Sequence, residues 1–440
     1  MAAAELARRL GLLDATALVV GVVVGAGIFL TPGVVAGHLA APGWILAVWA
    51  LTGLFTLAGA LAFAELGAML PATGGQYVFL REAYGPLVAF LCGWAFLVVI
   101  WTGTLAALAV AFAEHLVHVV PISPDGRTLV TVAALVMFTA LNYYGVRPGA
   151  WTQNLLTTGK LALIVALAMA AWWGLPAADG PQTEAPWSWR GLMLALVACS
   201  WTYDGWQALS FVSGEIRRPS RAIPRALLLG LGLVTALYLA VNAAFLPALQ
   251  RPSGNGAERA ILSAAASFLG PGAGAFVSAA ILISIAGALN GGILACPRIY
   301  FAQARDGLFL RRFGEIHPRF QTPSFSLLFQ GVWAGVLAVS GTFETLLTYT
   351  MFGNWIFTGL AVGAVMALRR KRPDLDRPYR TWGYPVTPLI YCALSLGLVA
   401  GTIAAQPKPS LAGAALILSG VPVYFLWRRR PHGPSAERRA

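Results

Sequence analysis

The sequence predicts an all-α integral membrane protein with about twelve transmembrane helices. Three observations carry that reading. Of 440 residues, 58% are hydrophobic and only 11% charged, whereas a soluble domain carries about 25% charged residues. Apolar runs long enough to cross a bilayer, about 20 residues each, recur along the whole chain. They are centred near residues 27, 57, 101, 137, 163, 202, 237, 288, 332, 356, 392 and 419. The third observation is charge placement. With a cytoplasmic N-terminus and twelve spans, 24 of the 30 lysines and arginines fall on the inner side. Five fall outside (Arg127, Arg190, Arg251, Arg259 and Lys408), and Lys160 remains within the membrane. That asymmetry obeys the positive-inside rule. The net charge of +13 therefore orients the chain, and nucleic acid is not an expected partner.

Taken in order, the first run follows Arg8-Arg9 and is too long for a cleaved leader, so it reads as a retained span. It contains Val23-Val24-Gly25-Ala26-Gly27-Ile28, with Pro32 close behind. Two glycines one residue apart weaken a helix. The pattern begins like a dinucleotide fingerprint, but position 30 holds Leu30 in place of the third glycine. A helix broken at mid-membrane leaves backbone groups unpaired unless something polar fills the gap. A substrate carboxylate on the amide end beginning near Ile28, and a substrate ammonium on the carbonyls of Val23 and Val24, would fill it. Close packing through small residues is the plainer alternative.

Glu65, near the inner end of span two, reads as half of an interfacial ion pair. Glu114, His115 and His118 form an interfacial face at the outer end of span three, without metal-ligand spacing. Lys160 lies about nine residues into span five, roughly 13 Å deep at 1.5 Å per residue, beyond easy snorkelling reach. A polar, proline-bearing loop over residues 177–190 follows. Span six is interrupted by Trp201-Thr202-Tyr203-Asp204-Gly205-Trp206. An acidic residue at that depth is a functional candidate by default. Asp204 could meet a cationic group, or it could cap the broken backbone through neighbouring N–H groups; both readings stay open. The tail over 431–440 reads as disordered. All four cysteines, Cys92, Cys199, Cys296 and Cys392, lie within apolar runs and read as small buried residues.

Gly27 and Asp204 are 177 residues, or five spans, apart. An odd number of spans makes the second unit enter from the opposite face. Weakened helices at matching places in inverted halves point to a transporter's binding site. The expected organisation is one transporter domain over 1–430. It comprises a first five-helix repeat over 1–175, an inverted repeat over 190–370, and two added helices over 380–430.

These residues resemble the amino acid–polyamine–organocation superfamily, and within it the L-type amino acid transporters of prokaryotic kind. The resemblance is carried by Gly25-Ala26-Gly27-Ile28-Phe29, Tyr203-Asp204-Gly205-Trp206, and Glu215-Ile216-Arg217-Arg218-Pro219 with Ile223-Pro224. It continues through Gly287-Ala288-Leu289-Asn290-Gly291, Arg298 and Ala304-Arg305-Asp306-Gly307. It implies the LeuT-type five-plus-five fold with discontinuous helices one and six. It also implies substrate contacts along Val23 to Ile28 and Trp201 to Asp204, with Trp201 closing over the substrate. Glu215 and Arg298 are implied to serve the cytoplasmic gate. Lys160 matches a lysine standing where sodium-coupled relatives hold sodium. Eukaryotic members bind a glycoprotein through an outer-loop cysteine, which the segment Val119 to Arg127 lacks, so no disulfide-linked subunit is expected.

The implied activity is sodium-independent transport, by exchange, of small to medium neutral L-amino acids across the plasma (inner) membrane. Both termini are expected in the cytoplasm, and no cofactor or metal is expected. Proton coupling through Lys160, and a cationic amino acid or polyamine permease, remain alternatives. An enzyme is disfavoured: there is no His-Glu-x-x-His and no Ser/His/Asp set at membrane depth. An amino-acid sensor that moves nothing would be expected to carry a signalling domain.

Overall fold

The computed structural model describes residues 6–39, 41–175, 188–249, 260–340, 343–405 and 407–428. Most of the polar loop expected over 177–190, and the whole of the 431–440 tail, lie outside them. Helices occupy every apolar run picked out in the sequence. In chain order they are α1 (Leu12–Val23), α2 (Gly27–His38), α3 (Pro42–Met69), α4 (Gln76–Tyr84) and α5 (Pro86–Ala95). Next come α6 (Trp101–Leu116), α7 (Pro124–Tyr143), α8 (Val146–Gly174), α9 (Trp189–Thr202) and α10 (Ala208–Phe211). The series continues with α11 (Pro219–Leu249), α12 (Ala260–Leu269), α13 (Ala273–Ala295), α14 (Pro297–Arg305) and α15 (Ser324–Ser340). It closes with α16 (Phe343–Lys371), α17 (Val386–Ala405), α18 (Pro407–Leu418) and α19 (Gly420–Arg428).

Among the described residues, nine helical stretches are long and apolar enough to cross a membrane. The pair α1 and α2, bent by 44° at its break, makes a tenth. The remaining two apolar runs fall short on length: α9 has 14 residues and stops at the Asp204 break, and α15 has 17.

Local chemistry explains several helix starts. Ser123 and Ser188 each accept a hydrogen bond from an amide of the first turn, Gly126 and Gly191 respectively, as N-caps do. Pro42, Pro86 and Pro124 occupy first helical positions, where the missing N–H costs nothing. Between α5 and α6 the chain forms a π-helical turn, Phe96–Ile100, and the Thr102 hydroxyl donates to the Leu97 carbonyl at 2.7 Å. That turn lets Ile100 and Trp101 face the interior cavity.

One end of the bundle is knitted by charge. Arg369 forks onto Glu65 at 2.8 and 2.6 Å, the ion pair expected for Glu65. Tyr77 donates to Asp306 at 2.8 Å, Arg81 also pairs with Asp306, and Thr322 donates to the Tyr143 carbonyl. These contacts bring the segments following α3, α7 and α14 to the same basic end as the foot of α16. The helices α3, α6 and α13 bury most of their side chains and α11 about half, whereas α17 is largely exposed, as a lipid-facing helix would be. Cys92, Cys199 and Cys296 are buried and Cys392 partly so.

Candidate functional site

The first break is the residue triplet between α1 and α2. Val24 leaves helical geometry at φ −78°, ψ 86°, and the Gly25 amide turns back to the Val23 carbonyl. The carbonyls of Gly21, Val23 and Val24 thereby lose their ordinary helical partners. Buried, such groups need replacements. Lys160, fully buried on α8, donates to the Gly21 and Val24 carbonyls at 2.6 Å each. Lys160 lies 14 residues beyond the start of α8 at Val146, or ~21 Å of helix. The Tyr238 hydroxyl on α11 stands 3.2 Å from the Val23 carbonyl.

The second break follows α9. Gly205 adopts φ +106°, and a side chain there would strike Val22 at 2.6 Å, so only glycine fits. Asp204 Oδ1 accepts hydrogen bonds from Gln207 Nε2 at 3.2 Å and Asn354 Nδ2 at 2.8 Å. Gln207 Oε1 in turn accepts from the Gly205 amide. Asp204 therefore braces the broken backbone and joins it to α16. The same Tyr238 hydroxyl lies 3.1 Å from the Thr202 carbonyl, so one side chain touches both breaks. The Thr31 and Thr202 hydroxyls, 2.7 Å apart, form a further link between α2 and α9.

A cavity of about 660 Å³ lies against both breaks. From there it follows α2 and α6 through Thr31, Val34, Thr104, Ala107 and Ala111 to Glu114, His115 and His118. His118 is exposed and lies at the end opposite the basic face. Of the residues singled out in the sequence, Val23, Gly25, Ala26, Gly27, Trp201, Thr202 and Asp204 line this cavity. Val24 and Ile28 are fully buried outside its wall. Tyr203 turns away: its ring packs against Trp49 and Tyr238, and its hydroxyl donates to the Trp49 carbonyl. The two glycines differ. A Cβ at Gly25 would meet only the Ala288 Cβ at 3.9 Å, whereas one at Gly27 would meet Thr202 at 2.9 Å. Gly27 is thus needed for the approach of α2 to α9.

Beyond the breaks, away from the cavity, lies a buried ion pair. Arg298 and Glu215 pair at 2.7 and 3.2 Å with both side chains 1% exposed. The Glu215 carbonyl accepts the amides of Arg9 and Leu10, and the Arg217 amide donates to the Leu10 carbonyl. The segment preceding α1 is therefore strapped to the segment following α10. Sequence reading overlooked Tyr238, Gln207, Asn354 and Thr31. Each lies in an apolar run where a lone polar residue carries no signal of what it will face. Among the described residues, no group of histidine, cysteine or acidic side chains is arranged to hold a metal ion.

An all-helical, multi-span bundle whose interior cavity meets two interrupted helices defines a membrane transporter. The chain belongs to the amino acid permease family, which it matches over residues 10–427, within the superfamily that the sequence resembles. It is 31% identical to the serine/threonine exchanger SteT of Bacillus subtilis over 97% of this chain and 98% of that protein. It is likewise 31% identical to the human b(0,+)-type amino acid transporter 1, covering 96% of this chain and 88% of the relative. Identity with the human large neutral amino acids transporter small subunit 2 is 30%, over 97% and 82% of the two chains. The protein is an amino acid transporter and not an enzyme.

Proposed function

We propose that this chain exchanges small to medium neutral L-amino acids by alternating access, without sodium, in the plasma (inner) membrane with both termini cytoplasmic. The observation that carries the sodium independence is the pair of 2.6 Å contacts from Lys160 to the Gly21 and Val24 carbonyls. Those oxygens are what a sodium ion would need as ligands, and an ammonium already holds them. The substrate's α-carboxylate would meet the amides that open α2, beside Gly25 and Ala26, and its ammonium would meet the carbonyls around the two breaks.

Neutral selectivity is supported by the engagement of Asp204 with Gln207 and Asn354, and by the apolar wall formed with Trp201, Trp101 and Ile281. A cationic substrate remains the second reading, because Asp204 does line the cavity. Alternating access is supported by a cavity that reaches one end while the Glu215–Arg298 pair closes the other. Exchange is the activity printed for the Bacillus relative, and for this chain it is part of the proposal. The inverted five-helix halves over 1–175 and 190–370, and operation without a disulfide-linked subunit, belong to the same proposal.

The experiment is uptake of labelled alanine, serine or leucine into vesicles preloaded with unlabelled amino acid, with sodium replaced by choline. Uptake should be undiminished by that replacement and should require the internal amino acid. Uptake that persists in empty vesicles and collapses with a protonophore would replace exchange by proton coupling.

A further inference from the structure

We infer that an arginine stripe at the foot of α11 binds the phosphate headgroups of acidic phospholipids. Arg221 and Arg225, four residues apart, share one face of α11, and Arg218 immediately precedes the helix, its carbonyl accepting the Arg221 and Ala222 amides. All three are exposed, while Ala222, Ile223, Ala226 and Leu227 are buried on the opposite face. The same stripe continues up the helix as Leu229, 57% exposed, and Leu233, 44% exposed. Exposed leucines in a membrane-spanning helix face hydrocarbon. The arginines one and two turns below them on that face therefore stand at headgroup depth and point toward lipid.

Charge balance supports this occupant. Three other arginines at this end are neutralised by acidic partners: Arg298 by Glu215, Arg369 by Glu65, and Arg81 by Asp306 and Glu82. Among the described residues, no acidic group within ion-pair distance is found for Arg218, Arg221 or Arg225. From the helix start at Pro219 to Arg225 is roughly 9 Å of helix, comparable with the ~5–8 Å interfacial layer on each side of the hydrocarbon. Long side chains make up the difference by snorkelling. A planar guanidinium donates two parallel hydrogen bonds to a phosphate, and clustered basic residues beside a span attract anionic headgroups. Arg217, next in the chain, donates its amide to the Leu10 carbonyl of the strap, so a lipid seated here would touch the closed end of the transport path. This inference is independent of which amino acid is carried.

The test incubates the purified full chain with equal amounts of phosphatidylglycerol and phosphatidylcholine in mixed micelles, and counts retained lipids by native mass spectrometry. Phosphatidylglycerol should be retained over phosphatidylcholine by roughly tenfold or more. That preference should fall to near one in R218Q/R221Q/R225Q and survive in R311Q/R312Q, an exposed pair at the same end. Equal retention of the two lipids by the unmodified chain would overturn the site. So would an unchanged preference in the triple variant, or equal losses in the two variants. Displacement of the lipid by inorganic phosphate would make it a soluble-anion site and overturn the lipid assignment. Should the triple variant fail to insert, the unmodified chain's preference, the phosphate competition and the single variant Arg221→Gln still decide.

Discussion

Arg298 grips Glu215 through two nitrogens, at 2.7 and 3.2 Å, with both side chains sealed from solvent. Glu215 also offers its backbone carbonyl to the strap before α1, so one residue joins three segments beneath the cavity. A buried pair of this kind gives little net stability when intact, but breaking it leaves an uncompensated charge costing about 3–5 kcal/mol.

Glu215→Gln should therefore open the basic end. Cysteines placed near Leu10 should become reactive toward membrane-impermeant reagents from that side, and exchange should fall. The double variant Glu215→Gln with Arg298→Met, which removes both charges, should recover stability lost by the single change. Equal reactivity in the single variant and the unmodified chain would show that the pair does not close the path.

Lys160→Ala removes the donor for two buried carbonyls, each costing about 1–3 kcal/mol when left unpaired. Sodium-free uptake should fall at least about tenfold, by the same accounting. The measurement is uptake in choline and in sodium, with the protein's folding checked by size exclusion. Full sodium-free activity in the alanine variant would leave Lys160 a bystander.

These two sites show how unevenly the sequence speaks. The break at Gly25 and Gly27 and the acid at Asp204 were legible because glycines and a carboxylate inside apolar runs violate a local rule. Lys160 and Glu65 were legible for the same reason, and the structure pairs both. Tyr238 was not legible: a tyrosine in a long apolar helix looks like core until the fold sets its hydroxyl between Val23 and Thr202. Gln207 and Asn354 meet across 147 positions, a relation set by tertiary packing. Gly27 was legible as a special residue but not for its reason, which is the approach of Thr202. Tyr203 adjoins the break in sequence, yet the turn that follows α9 sends its ring toward Trp49.

The two glycines of the first break should part company on substitution. At Gly25 an added Cβ meets only the Ala288 Cβ at 3.9 Å, and the rest of a valine side chain would extend into the cavity that Gly25 lines. Thermal stability should change little while substrate affinity drops more than about tenfold. At Gly27 even alanine presses on Thr202 at 2.9 Å, and overpacking of that kind costs about 1–3 kcal/mol. Melting curves and binding isotherms on both variants check the contrast. Unchanged affinity in Gly25→Val would remove the first break from the binding site.

Tyr238→Phe keeps the ring that packs edge-on against Trp49 but deletes the hydroxyl near both breaks. The loss should be about 1–2 kcal/mol of stability. Because the hydroxyl reaches each half of the site, the turnover rate should fall more than apparent affinity. A phenylalanine variant with unaltered exchange rate and melting temperature would reduce Tyr238 to packing.

Asp204→Asn separates the two readings of substrate charge. Asparagine preserves an oxygen to accept from Gln207 or Asn354, so the brace at the second break should largely survive. It removes the negative charge from the cavity wall. If Asp204 serves the backbone, neutral uptake should stay within about threefold, the loss of roughly one weakened hydrogen bond. Arginine and lysine should compete weakly before and after the change. If Asp204 instead receives a cationic side chain, those two amino acids should compete better than alanine, serine or leucine in the unmodified chain. They should then lose that advantage in the variant, because a charge-assisted contact is about twice as strong as a neutral one. Competition assays with the five amino acids on both proteins distinguish the cases. Strong arginine competition that vanishes with Asp204→Asn would replace the neutral assignment by a cationic one, while leaving the Lys160 contacts and the closed basic end as they stand.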